Sequence, residues 1–214
     1  MSDVPRIGSA EVPPPIEILS ADDWLALSDA PKRHELTMGH LTLAPSPDLR
    51  YDLIVADLAQ AIGRITALTA TGGTILSQTG FVVSAPGEDE TVLVPALAYI
   101  SAERLSHVPQ AIPAPVRAHA NVLMRVAPDF VIEIASPSQR ESEITERVLL
   151  WRSAGARLVW VVWPARRQVT VWAPDSAGTP EAAGTLQRTL SAHESLDGGE
   201  TIPGFAYTVA HLFL

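Results

Sequence analysis

The sequence predicts an α/β fold in which a mixed central sheet is flanked by helices, and three observations carry that expectation. Phe130 to Ala135 is an almost unbroken apolar, β-branched run, the pattern of a strand buried on both faces. Directly after it, Ile144, Val148 and Trp151 recur at helical spacing up to Gly155, a residue suited to ending a helix. Two more strand-like runs, Arg157 to Trp163 and Gln168 to Trp172, then follow across the turn Pro164 to Arg167. Sheet, helix and sheet in that order call for layered packing around one core.

The remaining elements follow along the chain. The polar, proline-rich start lacks a basic segment leading into an apolar one, so it reads as a disordered leader, residues 1–18, rather than a secretory signal. Residues 19–214 form a single domain, because 214 residues with 47% hydrophobic content suit one well-filled core. Ser20 ahead of Asp22 and Asp23 predicts a capped short helix. Alternation on both sides of Met38-Gly39 predicts a tight hairpin with Leu36, Leu41 and Leu43 available to the core.

From Leu49 to Ala67, Ile54, Leu58, Ala61, Ile62 and Ile65 mark one helix face, ended by Thr71-Gly72-Gly73. Two β-rich segments follow, 75–84 and 91–101, parted by Pro86-Gly87, and Ser101 to Arg104 starts a turn of helix. The three prolines between His107 and Val122 predict a surface loop, and so does the segment 175–184. Ser138 to Glu141 matches a capping box. The C-terminal segment reads as a turn and a short amphipathic helix.

Charge and composition narrow the function classes. A net charge of −9 argues against general adhesion to nucleic acid, which depends on Lys and Arg neutralising phosphates. A local patch remains compatible, since seven arginines face five acids between Arg125 and Arg167, while Lys32 is the only lysine. No apolar run approaches the ~20 residues of a membrane helix, so no membrane partner is expected. The absence of cysteine excludes disulfides and thiolate metal sites, which suits a reducing cytoplasm.

Glu133 interrupts the apolar strand, and a carboxylate there costs several kcal/mol, roughly, unless it is paired or binds a cation. Either an arginine partner or a metal would answer that need. Asp129 lies on the same strand face, but four residues at about 3.3 Å each separate the two by roughly 13 Å, so they cannot share one ion. The six histidines lack metal-protease spacing, Ser136-Pro137-Ser138 lacks the glycine-flanked elbow of a serine hydrolase, and the paired glycines lack the lysine of a phosphate loop. Trp151 and Trp160 read as core, whereas Trp163 and Trp172 read as an apolar interface compatible with a homodimer.

Taken in order, the motifs around Glu35-Leu36, Val94-Pro95-Ala96, Pro128 to Gln139, the helix bearing Arg147, the strand ending at Pro164, and Ile202 to Phe213 resemble the restriction-endonuclease family often called Uma-two, a branch of the PD-(D/E)xK nuclease-like superfamily. The resemblance implies a restriction-endonuclease-like core and, as ancestral reaction, Mg²⁺- or Mn²⁺-dependent hydrolysis of DNA phosphodiester bonds. It implies site residues Glu35, Glu133 and Arg147, with Glu133 as a metal ligand.

The sequence departs from the family pattern at several of these places. Ala96 stands where a metal-binding aspartate is expected, and Arg147 where a lysine is expected. Met38-Gly39-His40, Tyr51 and Val162-Trp163-Pro164 likewise replace more polar residues. Without an oxygen at Ala96 the site loses a direct ligand, so impaired catalysis is expected, with an inactive nucleic-acid-binding or protein-interaction module as the alternative. Asp89 and Glu90 are the nearby acids that would have to replace it, and Glu143, four residues before Arg147, offers that arginine a local ion pair.

Overall fold

The computed structural model describes residues 18–27, 34–44, 47–69, 72–107, 123–174 and 185–213. The predicted leader except its last residue, Ile18, all but the first residue of the proline-containing loop, and the segment 175–184 lie outside these residues.

The chain opens with α1 (Ala21–Ala26), whose Ser20 hydroxyl accepts the Asp23 N–H while the Asp23 carboxylate accepts the Ser20 N–H, a complete capping box. The hairpin β1 (His34–Thr37) and β2 (His40–Leu43) turns on Met38 and Gly39, both left-handed at φ 48° and 73°, as a two-residue hairpin of this twist requires. Then come α2 (Leu49–Leu68), β3 (Thr74–Leu76), β4 (Gly80–Val82), β5 (Val92–Leu93), β6 (Leu97–Ile100) and α3 (Ala102–Ser106). The second half holds β7 (Leu123–Met124), β8 (Phe130–Ile134), α4 (Glu141–Ser153), β9 (Leu158–Trp163), β10 (Gln168–Pro174), β11 (Thr185–Leu190), β12 (Ser195–Asp197), β13 (Ala206–Thr208) and a 3-10 helix, Val209–Phe213.

These strands build two principal sheets and a small hairpin. The first runs β2-β1-β5-β4-β7 and the second β11-β10-β9-β8-β6-β3, with β8 and β9 parallel and the other pairs of that sheet antiparallel. The two predicted β-rich segments each divide into strands of different sheets. The chain crosses from the second sheet to the first between β3 and β4, and back between β5 and β6. That second crossing contains Val94-Pro95-Ala96, where proline cannot donate to a ladder.

The period of two along β8 and β9 separates the two halves of the core. Phe130, Ile132, Trp160 and Val162 pack with Ile54, Leu58 and Ile62 of α2 and with the C-terminal elements. Val131, Val159 and Val161 face Ile144, Val148 and Trp151 of α4, together with Phe81 and Leu93 of the first sheet. Helix α4 is thus wedged against both sheets.

Several local expectations are corrected. Leu36 is buried, but Leu41 and Leu43 are 42% and 70% exposed, because β2 is the outermost strand of its sheet. Helix α4 begins after Arg140, not Ser138: Gln139 Oε1 accepts the Ser136 N–H and closes a turn over residues 136–139. The reciprocal cap comes from Glu143, which accepts the Arg140 N–H at 3.1 Å. The C-terminal helix is a strand plus a 3-10 helix, and β11 and β12 occupy a stretch for which no element was expected. Gly155, at φ 106°, follows α4 in a Schellman turn, with N–H bonds from Gly155 to Arg152 and from Ala156 to Trp151.

Candidate functional site

Glu35 is carried by β1 of the first sheet, Glu133 by β8 of the second, and Arg147 by α4 between them. All three side chains meet. Arg147 Nη1 donates to Glu35 Oε2 at 2.5 Å, and its Nη2 donates to Glu35 Oε1 at 3.0 Å and to Glu133 Oε1 at 2.9 Å. The contact with Glu35 is the bidentate fork that a guanidinium forms with a carboxylate. Glu35 Oε1 also accepts the Val94 N–H at 2.7 Å, and Glu133 Oε1 accepts the Trp151 indole N–H at 2.6 Å. Glu133 Oε2 has no hydrogen-bond partner among the described residues.

Glu35 and Glu133 are 4% and 5% exposed, so this is an internal cluster of two carboxylates and one guanidinium. Burial pushes the Glu133 carboxyl above the usual carboxylate range; adjacent Arg147 pulls it back, and Glu35 raises it further. Burial alone would lower the Arg147 guanidinium, but the attraction of Glu133 and then Glu35 outweighs it and holds the group firmly protonated. Glu143 does not pair with Arg147: it is drawn to the N-terminus of α4 and bonds Arg140. A helix-surface pair stabilises by a few tenths of a kcal/mol, roughly, far less than two buried carboxylates gain from a shared cation.

Ala96 lies across from Glu133. In the antiparallel pairing of β6 and β8, Leu97 stands opposite Ile132 and Ala98 opposite Val131, so extending the register sets Ala96 opposite Glu133. Both residues line one cleft of about 230 Å³ with Arg147, and its rim includes Arg50, Tyr51, Gln78 and Gln139. The residue at the expected ligand position thus lines the same cleft as Glu133, and it carries only a methyl group. Asp89 is exposed and Glu90 is engaged elsewhere, accepting the Ala21 N–H at 2.6 Å and an Arg125 guanidinium at 2.7 Å. Neither replaces the missing oxygen.

A divalent cation does not fit these residues as they stand. Glu35 is committed to Arg147 and Val94, one Glu133 oxygen already takes two N–H donors, and Ala96 contributes nothing. Among the described residues no group of three or more His, Cys, Asp and Glu is placed to hold a metal ion. Nor can Arg147 take a proton from an attacking water, because it stays charged. What the cluster can do is hold two sheets and a helix together and present one carboxylate oxygen at the floor of a cleft.

The other carboxylate of the strand, Asp129, is separate. It pairs with Arg104 at 2.9 Å and accepts the Ser101 N–H at 2.8 Å. The roles of Trp151 and Arg104 were not foreseen from sequence; Trp151 had a signal, since it lies four residues after Arg147 and so on the same helix face. Trp163 and Trp172 are half-buried and line a second hollow beside α4 and β9 to β11, and the Arg166 guanidinium lies 4.8 Å from the Trp163 ring centroid.

A helix-flanked mixed sheet, with acid-bearing strands and a cationic helix converging on one cleft, defines a restriction-endonuclease-like α/β domain. The chain belongs to the Uma2 family, described as "Putative restriction endonuclease", whose model matches residues 21–210. The fold is similar to that of a solved protein from Anabaena variabilis, titled a putative nuclease belonging to DUF820, with TM-score 0.69 and 18% identity over 93% of this chain and 98% of that one. No curated protein matches. Among the described residues no helix is long and apolar enough to cross a membrane.

Proposed function

We propose that this chain is a restriction-endonuclease-like protein in which the ancestral reaction, metal-dependent hydrolysis of DNA phosphodiester bonds, is impaired. The observation that carries the reading is Ala96 opposite Glu133, where a second carboxylate would complete a Mg²⁺ or Mn²⁺ site. In this reading Glu133 is the surviving side of the metal site. Arg147 retains the positive charge that favours a phosphoryl transition state but not a proton-exchanging group, and Glu35 orients Arg147.

The test is a Mg²⁺/Mn²⁺ nuclease assay on the wild type, Ala96→Asp, and Ala96→Asp with Arg147→Lys. Cleavage in the revertants alone is the expected result. Robust cleavage by the wild type, abolished by Glu133→Gln, overturns the reading.

A second reading is a catalytically inactive binding module. The net charge of −9 and the exposed Leu41, Leu43, Leu49 and Leu53 favour a protein partner, a second copy of the chain included. Salt-sensitive DNA binding would favour a nucleic-acid partner instead. A cysteine-free chain suits residence in the cytoplasm on either reading.

A further inference from the structure

Two glutamates from different sheets approach one cationic nitrogen. Nη2 of Arg147 lies 3.0 Å from Glu35 Oε1 and 2.9 Å from Glu133 Oε1, and Nη1 lies 2.5 Å from Glu35 Oε2. Two buried carboxylates this close would not both stay ionised without positive charge between them. The charge is delivered from α4, by a side chain that also lines the cleft and is itself 15% exposed. The place it fills is therefore reachable from solvent on the cleft side. Its shape is also selective: the flat fork against Glu35 suits a guanidinium, whereas a small spherical ion would reach fewer of these oxygens at bonding distance.

We propose that Glu35 and Glu133 form a cation socket whose resident occupant is the Arg147 guanidinium, and that shortening Arg147 converts the socket into a binding site for free guanidinium ions. The site supplies its own cation. This deepens the reading above, because with no oxygen at Ala96 the two glutamates are balanced from within the chain and, among the described residues, only Glu133 Oε2 is left uncommitted.

The experiment is chemical rescue of the full-length Arg147→Ala variant, read as thermal unfolding. The variant is expected to melt roughly 5–10 °C below wild type. Millimolar guanidinium or methylguanidinium chloride, too dilute to denature, is expected to restore at least half of that loss. Sodium chloride at equal ionic strength and urea at equal concentration should not, and the wild type should show no rise. Adding Glu35→Gln or Glu133→Gln to the variant should reduce the response at least severalfold.

If Arg147→Ala does not accumulate folded, refolding yield with and without guanidinium is the readout, compared against the same two controls. A response no larger than that to sodium chloride, or one unchanged by the glutamine substitutions, overturns the proposal. None of these readouts involves cleavage, so failure here is distinguishable from a nuclease-active wild type.

Discussion

Strand β8 and its entry carry two buried carboxylates four residues apart, Asp129 and Glu133, and each faces an arginine in a different manner. At Asp129, Arg104 Nε pairs with the carboxylate at 2.9 Å while its other nitrogens donate to the carbonyls of Ala127, Pro128 and Gly155. Arg157 adds a longer contact at 3.8 Å. That arginine ties the start of the strand to the end of α4. At Glu133, one oxygen takes both donors and the other takes none among the described residues, at the floor of a cleft. A buried carboxylate in an apolar strand is thus not in itself a site. Asp129 Oδ1 also lacks a hydrogen bond among the described residues but is sealed from solvent beneath Arg104, so what separates a structural tie from a candidate site is a path from solvent to the open oxygen.

The largest effect is expected where the tie is broken. Arg104→Ala leaves Asp129, 2% exposed, without its closest cation and frees three carbonyls at once. Removing one partner of a buried pair costs about 3–5 kcal/mol, which for a chain of this size is roughly 10 °C or more in Tm. Arg147→Ala is expected to cost less, because cleft water can reach the exposed side of the triad and Glu133 can take up a proton. Paired melting curves check the order, and equal losses would erase the distinction between the two ends of the strand.

That distinction was half legible in the sequence. Glu133 stands out as the one charge within an apolar run, and its two possible answers, arginine or metal, follow from the cost of burying it. Which arginine answers is not local information. The spacing of Glu143 and Arg147 suggested a helix-surface pair, but Arg147 faces inward, to partners 112 and 14 residues away in the chain. The resemblance to a family supplied Glu35, which no periodicity could link to Glu133.

The two sheets were hidden for a related reason. Strands of two to four residues are too short to show alternation, and each β-rich segment changes sheet midway. The edge strand β11 shows only Leu190 buried among residues 187–190, so the usual apolar signal is weak.

A smaller effect sharpens the comparison through pH. Burial holds the Glu133 carboxyl above its ordinary value near 4.5, so the native protein keeps that proton to higher pH than the unfolded chain does. Its contribution is then fully present below the unfolded value and is lost as pH rises through the folded one. Glu133→Gln keeps an acceptor for Trp151 and Arg147 but does not titrate. Its cost, about 2 kcal/mol at acidic pH, should shrink as pH rises above the ordinary glutamate range. Urea unfolding of both proteins at about pH 4 and about pH 8 measures it, and a cost that grows with pH would contradict the raised carboxyl.

The smallest effect belongs to the other end, at Gly155. Its φ of 106° is a conformation that a side chain resists, while a Cβ built there would meet nothing nearer than Ala127 Cβ at 4.0 Å. Crowding is therefore excluded as the source of any loss, and Gly155→Ala should cost about 1 kcal/mol through the backbone alone. Because Arg104 donates to the Gly155 carbonyl at 2.8 Å, relaxing this turn also moves an acceptor of the Asp129 tie. The Gly155→Ala and Arg104→Ala losses should then be non-additive in a double-mutant cycle, whereas Gly155→Ala and Glu133→Gln, at opposite ends of the strand, should add. Coupling of Gly155 to Glu133 instead would mean that both ends of β8 answer to one network, and the contrast between them would fall.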